Sequence, residues 1–217
     1  SPKKLWLSFD EWNVWYRARS GDAVDGHRQD APHLLEEPYN FEDALLVGGL
    51  VNTLLRNSDR VKIACLAQLI NVIAPIMTNA NGLFRQTIYY PYAWALQYAR
   101  GKALNVLVES PTYDVAGMDA VPYLDAIATA TDDGKTALFI LNRDLAKAHE
   151  VEVVWEDKAG SRVAVSQVLT GNDLKALNSF DAPERVKPQA FDKPTTSNGR
   201  SKFEVPARSY TLIQWEA

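Results

Sequence analysis

With one cysteine, Cys65, the chain has no internal disulfide framework, and that usage fits a reducing compartment such as the cytoplasm. Cys65 sits in an apolar run and reads as an inert buried thiol rather than a nucleophile. No stretch is long and apolar enough to span a membrane as a helix. Ser1-Pro-Lys-Lys4 is not followed by an apolar core with a small-residue cleavage site, so it does not read as a secretory signal. No basic cluster stands out among 23 basic and 27 acidic residues, which argues against a nucleic-acid partner. Histidine is scarce as well. His27 and His33 lie beside Asp25 and Asp30 in a polar stretch, but no second pair completes a metal-ligand set, so both read as solvated loop residues. His149 opens an apolar run and has no evident role. There is no internal repeat and no low-complexity tract. What is present is 217 residues, 47% of them hydrophobic, enough for one large domain or two small ones.

The most informative stretch is Leu5-Trp-Leu-Ser-Phe-Asp-Glu-Trp-Asn-Val-Trp-Tyr16. Leu5 to Phe9 is a short apolar run of the kind that forms a buried strand. It ends in two acids, Asp10 and Glu11, among Trp12, Asn13, Trp15 and Tyr16. An apolar strand running into acids and aromatics fits the C-terminal end of a parallel barrel strand, where α/β barrels keep their chemistry. Carboxylates among indole rings suit a sugar, whose C–H face stacks on aromatics while a carboxylate addresses the anomeric carbon. From the residues alone, Glu11 has two open readings: a salt-bridged acid at a strand end, or a nucleophile. Asp10, its neighbour on an extended strand, points to the other side and reads as structural support.

Residues 17 to 37 are polar, with Pro32 and Pro38 near the end, and form a long loop of the functional kind. Asn40, with Glu42 and Asp43 behind it, is a good N-cap for a largely buried helix from Phe41 to Leu55. Val61 to Leu66 is a second strand, with Gln68 and Asn71 just beyond it, and a loop follows through Asn79-Ala-Asn-Gly82. Pro91 suits the first position of a helix that reaches about Arg100 and stops at Gly101. Strand, helix, strand, helix is the order of the last two units of a (β/α)8 barrel. Beyond Gly101 come seven short β-rich runs: 105–109, 123–131, 135–142, 149–156, 163–169, 201–205 and 210–215. Turns at Asp132-Asp-Gly134, Asp157-Lys-Ala-Gly160 and Gly171-Asn-Asp173 separate some of them, and the pattern reads as an antiparallel β-sandwich, jelly-roll-like. Asn172 to Arg200, with three prolines, reads as a surface excursion. The expected division is thus 1–101, the C-terminal part of a catalytic barrel, and 102–217, a β-sandwich. A chain that starts almost on a strand is expected to be part of something longer.

Leu7-Ser-Phe-Asp-Glu-Trp-Asn-Val-Trp-Tyr16 resembles the nucleophile strand of the family 51 glycoside hydrolases, the α-L-arabinofuranosidases. The resemblance continues through Tyr39-Asn-Phe-Glu-Asp-Ala-Leu-Leu46, Arg60-Val-Lys-Ile-Ala-Cys-Leu-Ala-Gln-Leu-Ile-Asn-Val-Ile-Ala-Pro-Ile76, Gln86-Thr-Ile-Tyr-Tyr-Pro91 and Val108-Glu-Ser-Pro-Thr-Tyr113. It covers the first half in specific motifs and the second half in general character. It implies the C-terminal portion of a retaining, exo-acting enzyme that needs no cofactor and acts on arabinan, arabinoxylan and arabino-oligosaccharides. It further implies a homo-oligomer, often a hexamer.

By that resemblance Glu11 is the nucleophile, Gln68 binds arabinofuranose hydroxyls, and Trp15 lines the site near the leaving group. For Gln68 a loop-bracing amide is the competing reading. Trp12 and Tyr16 read equally as packing, Asn13 as a brace of its turn, Asn71 as structural, and Tyr89, Tyr90 and Tyr92 as packing between barrel and sandwich. The family's acid/base resembles a Glu after an Asn on an earlier strand, and this chain has no Asn-Glu pair. Glu36, Glu37 and Glu109 read as structural or solvated acids, so the acid/base is expected in an N-terminal part of the same enzyme. Two alternatives stay open: another retaining barrel glycosidase, such as an endo-xylanase or glucanase, and a non-catalytic carbohydrate-binding or assembly module.

Overall fold

Asn40 is extended and caps the first helix: its side chain accepts from the Asp43 amide at 3.2 Å, and the Asp43 carboxylate accepts from the Asn40 amide at 2.8 Å. This reciprocal box satisfies donors that the first helical turn cannot satisfy itself. In the computed structural model, which describes residues 3–16, 35–156, 160 and 162–216, that helix is α1, Phe41–Arg56, and it lies between two layers. Ahead of it is β1, Leu7–Trp12; after it come β2, Val61–Leu66, a hairpin of β3, Ile76–Asn79, and β4, Gly82–Arg85, and then α2, Tyr89–Tyr98. β1 and β2 pair in parallel, Leu7 opposite Val61 and Trp12 opposite Leu66.

The rest is β-structure: β5 Lys102–Ala103, β6 Thr112–Val115, β7 Met118–Pro122, β8 Leu124–Ala130, β9 Thr136–Asn142, β10 His149–Val154, β11 Arg162–Thr170, β12 Gln189–Ala190, β13 Thr196–Ser197, β14 Arg200–Val205 and β15 Ser209–Glu216. A six-stranded antiparallel sheet runs β12-β11-β15-β9-β8-β5, and a three-stranded one runs β10-β14-β13. Between them pack Leu138, Ile140, Ile213 and Trp215 of the large sheet and Val205, Val151, Val153 and Phe203 of the small one. This is the expected sandwich.

The large sheet is buried on its other face too. Phe139, Leu141, Tyr210 and Leu212, which alternate with the sandwich-facing residues, meet Phe41, Ala44 and Leu45 of α1 and Tyr90 and Trp94 of α2. Two buried faces explain why Leu138-Phe-Ile-Leu141 reads as an unbroken apolar run rather than an alternation. The opposite side of the helices, Val47, Val51 and Ile88, packs on Trp12 and Tyr39. The order of layers is therefore small sheet, large sheet, helices, parallel pair.

Several expectations shift. β1 extends to Trp12, beyond Phe9, because its ladder with β2 carries that far. α2 starts at Tyr89, two residues before Pro91; a first-turn proline is tolerated because its missing N–H had no intrahelical acceptor. Gly101 follows the helix at φ +84°, and a Cβ there would meet the Ala130 carbonyl oxygen at 2.1 Å, so the chain passes close against β8. Residues 105–109 form no ladder; Lys102–Ala103 pairs with β8 instead. The Asn79–Gly82 loop is the turn of a hairpin, closed by Asn79 Oδ1, which accepts from the amides of Asn81 and Gly82. The 172–200 segment is no mere surface excursion: Ala176, Asn178 and Val186 are buried, and the carbonyls of Ala176 and Leu174 accept from the first two amides of α1. Cys65 is exposed, because the face of β2 that carries it is turned away from the helices.

Candidate active site

The parallel pairing of β1 and β2 brings two of the three candidate residues to one end of the molecule. Glu11 is the penultimate residue of β1, and Gln68 is the second residue after β2. The two chains stay tied past the ladder, since the Ala67 amide donates to the Trp12 carbonyl at 2.9 Å. Trp12 is buried against the helices, whereas Glu11, beside it, is exposed. The ladder has an extra β1 residue between the Phe9–Ala64 and Trp12–Leu66 partners, at Asp10 and Glu11. Bulges of this kind re-aim side chains and are common next to active sites. Leu5, Leu7 and Phe9, alternate residues leading up to Glu11, are 63%, 55% and 49% exposed, and Ile63 on β2 is 52% exposed.

Trp15 is also exposed, four residues beyond Glu11. The chain carrying it is fixed on both sides: Tyr39 Oη donates to the Val14 carbonyl at 3.0 Å, and Tyr16 Oη donates to Asp43. Gln68 is exposed, its peptide bond with Ala67 is cis, and its amide donates to the Ile73 carbonyl at 3.1 Å. The loop from Ala67 to Ile73 is tight. Asn71 has φ +64° and Ile73 φ +42°. Asparagine tolerates that region, but a β-branched residue there is a genuine outlier that costs on the order of 1–3 kcal/mol. Ile73 holds it while buried, at 3% exposure.

Of the side chains that hold this end together, Asn13 and Asn71 are the braces the sequence led us to expect, and Gln86 is one it did not. Asn13 Nδ2 donates to the carbonyls of Ala67, 2.6 Å, and Ile73, 2.5 Å, and its Oδ1 accepts from the Val14 amide at 2.8 Å. Gln86 is buried, donates to the Glu37 and Ala74 carbonyls at 2.8 Å each, and accepts from the Tyr39 amide at 2.8 Å. Asn71 binds Thr78 through both the backbone amide and the side chain, so it is structural as expected. Gln86 stands between Arg85 and Thr87, so local polarity gives no sign of its burial; its one signal is its place at the head of the motif Gln86-Thr-Ile-Tyr-Tyr-Pro91.

Other candidates fall elsewhere. Tyr89 and Tyr90 pack on the sandwich, and Tyr92 donates to the Ala64 carbonyl of β2 at 3.2 Å. Glu37 is buried on the approach to α1, and Glu109 is exposed in the connection to the sandwich. His27 and His33, with most of their loop, lie outside the described residues. Among the described residues Glu11 makes no side-chain hydrogen bond and no ion pair.

The chain matches the family described as "Alpha-L-arabinofuranosidase C-terminal domain" over residues 10–209. It is 40% identical over 216 residues to an intracellular exo-α-(1→5)-L-arabinofuranosidase of Halalkalibacterium halodurans, covering 99% of this chain and 43% of that one. The corresponding protein of Acetivibrio thermocellus is 42% identical over 223 residues, covering 99% and 44%. Among solved structures, a family 51 α-L-arabinofuranosidase from Bifidobacterium longum superposes with a TM-score of 0.88 at 34% identity, covering 99% of this chain and 44% of that one. The chain thus spans less than half the length of these relatives, and it belongs to the α-L-arabinofuranosidase C-terminal domain family.

Proposed function

We propose that this chain is the C-terminal part of a retaining, exo-acting α-L-arabinofuranosidase and that Glu11 is its nucleophile. The observation that carries the reading is the exposed apolar run of Leu5, just ahead of β1, and Leu7 and Phe9 on it, leading to Glu11 at the end this parallel strand shares with Gln68. Parallel strands are covered on both faces, and a barrel interior is filled by layers of such side chains. β1 and β2 are then the last two strands of a (β/α)8 barrel in residues 1–101, with the sandwich in 102–217. The preceding strands belong to an N-terminal part of the same enzyme, which also supplies the acid/base.

The chemistry follows from two carboxyl groups. The Glu11 carboxylate attacks the anomeric carbon while the acid protonates the departing glycosidic oxygen. The same group, now a base, activates the water that hydrolyses the glycosyl-enzyme. Gln68 holds sugar hydroxyls, since one amide both donates and accepts. Trp15 offers an indole face near the leaving group. Relatives named exo-α-(1→5)-L-arabinofuranosidases support terminal arabinofuranosyl units as the group removed, and their description as intracellular supports a cytoplasmic setting; arabinan, arabinoxylan and arabino-oligosaccharides are the substrates that the family resemblance implies. No cofactor is called for, and the assembled enzyme is a homo-oligomer.

The test is a covalent trap on the assembled enzyme. A slow 2-fluoro arabinofuranosyl donor should leave an adduct that peptide mass spectrometry locates on Glu11. Glu11→Gln should abolish turnover with an unchanged melting temperature. Turnover near the wild-type level in that variant, or an adduct on another residue, overturns the assignment.

A further inference from the structure

We infer that Asn13 is a positioning residue that sets Gln68 against Glu11; the inference rests on the function proposed above. Asn13 stands two residues past Glu11, on the continuation of the same strand. Its side chain hydrogen-bonds to neither candidate side chain, only to backbone groups of Ala67, Ile73 and Val14. Its single amide nitrogen spends one hydrogen on the Ala67 carbonyl and the other on the Ile73 carbonyl. Those carbonyls are the two ends of the loop that carries Gln68. The remaining acceptor is taken by the Val14 amide, which fixes the rotamer from its own side.

Few side chains can do this. Two hydrogens on one atom, on a short arm, are needed to reach both carbonyls from this position, and among short side chains only asparagine supplies them. Aspartate has the same shape but would set carboxylate oxygens against two carbonyl oxygens. The loop has a reason to move once released, because Ile73 is held at a positive φ in a buried position. The carbonyl of that same residue is where the Asn13 donor and the Gln68 amide converge. Losing one donor therefore loosens the strained residue that closes the loop, which keeps only its own amide on the Leu35 carbonyl and the Gln68 amide on its carbonyl, and Gln68 shifts with it. A shift of about 1 Å in a group that aligns a substrate can cost about 100-fold in turnover.

The experiment is a double-mutant cycle in the full-length enzyme, comparing wild type, Asn13→Ala, Gln68→Ala and the double variant on an aryl arabinofuranoside. Melting temperatures are recorded alongside kcat and KM. Asn13→Ala should lose about 10- to 100-fold in kcat/KM. The double variant should then be no worse than Gln68→Ala within about twofold, because residues acting through one another do not add. Asn13→Asp should fall as far as Asn13→Ala, since the hydrogens matter and not the shape. Losses that multiply in the double variant, or an Asn13→Ala enzyme within about twofold of wild type, overturn the inference. If Asn13→Ala melts below the assay temperature, Asn13→Ser, which keeps one donor, carries the same cycle. A wild-type enzyme with no arabinofuranoside turnover overturns the proposed function instead.

Discussion

Tyr210 is fully buried in β15, yet its hydroxyl donates to Asn52 Oδ1 of α1 at 2.9 Å. Asn52 in turn donates to Asp125 of β8 at 3.0 Å, and Arg56 reaches the same carboxylate at 2.6 Å. Burial, with a smaller contribution from Asp125, holds the Tyr210 phenol well above its ordinary range. Tyr210→Phe strands a buried acceptor and should cost about 1–3 kcal/mol in urea unfolding at neutral pH. A folded pKa above the unfolded one means stability that is present below the unfolded value and fades as pH rises past it. The penalty of the variant should therefore shrink above about pH 10, where the unfolded phenol ionises. Asp144 is the acid-side counterpart. The Ala146 amide, followed by the Lys147 amide and His149, holds its carboxyl below the usual range. Its contribution is present above the unfolded carboxylate pKa and is lost as pH falls through the lower folded value. Asp144→Asn should thus be less stable than wild type at pH 7, and denaturant midpoints should converge on acidification to about pH 3.

Among the elements, α1 carries the most, because it separates the sandwich from the parallel pair. Its glycines look like errors by helix propensity, where alanine is better by about 1 kcal/mol. Gly48 has a packing reason: a Cβ there would sit 2.7 Å from Tyr210 Cδ2 and 2.9 Å from Cε2. That ring is pinned by Asn52 and stacked with Trp94 at 6.0 Å, so it cannot yield cheaply. Gly48→Ala should destabilise by about 1–3 kcal/mol despite the gain in propensity, as overpacked cores do. A calorimetric scan showing a higher melting temperature would refute that packing argument. The N-terminus of the helix is held from a distance as well, by carbonyls of Leu174 and Ala176 more than a hundred residues away.

On the scale of the whole molecule, the two sides are finished to different degrees. Between sandwich and helices Phe41, Phe139, Tyr210 and Leu212 are 1% exposed or less, and Leu46, Leu96 and Val154 stand exposed singly, while the parallel pair and the residues leading into it leave Leu5, Leu7, Phe9 and Ile63 in the open. Two strands do not make a stable parallel sheet, and contiguous exposed apolar surface is a contact surface. These 217 residues expressed alone should bind a hydrophobic dye strongly and scatter light at micromolar concentration. Co-expression with the N-terminal part should suppress both. A monodisperse monomer that leaves the dye dark would refute the open-barrel reading.

The sequence by itself determined the local elements and their type. The cap at Asn40, the apolar run of β2 and six of the nine strands in the two sandwich sheets were legible, because caps, periodicity and turn residues act over a few positions. The motif around Glu11 was legible for the same reason, being contiguous. Only the tertiary structure decided that Gly48 is a contact, that the 172–200 segment seals a helix end, and that Cys65 is exposed. It alone brought Asn13, Ala67 and Ile73 together. Those facts depend on which surfaces meet across tens of residues, and no local preference carries that information.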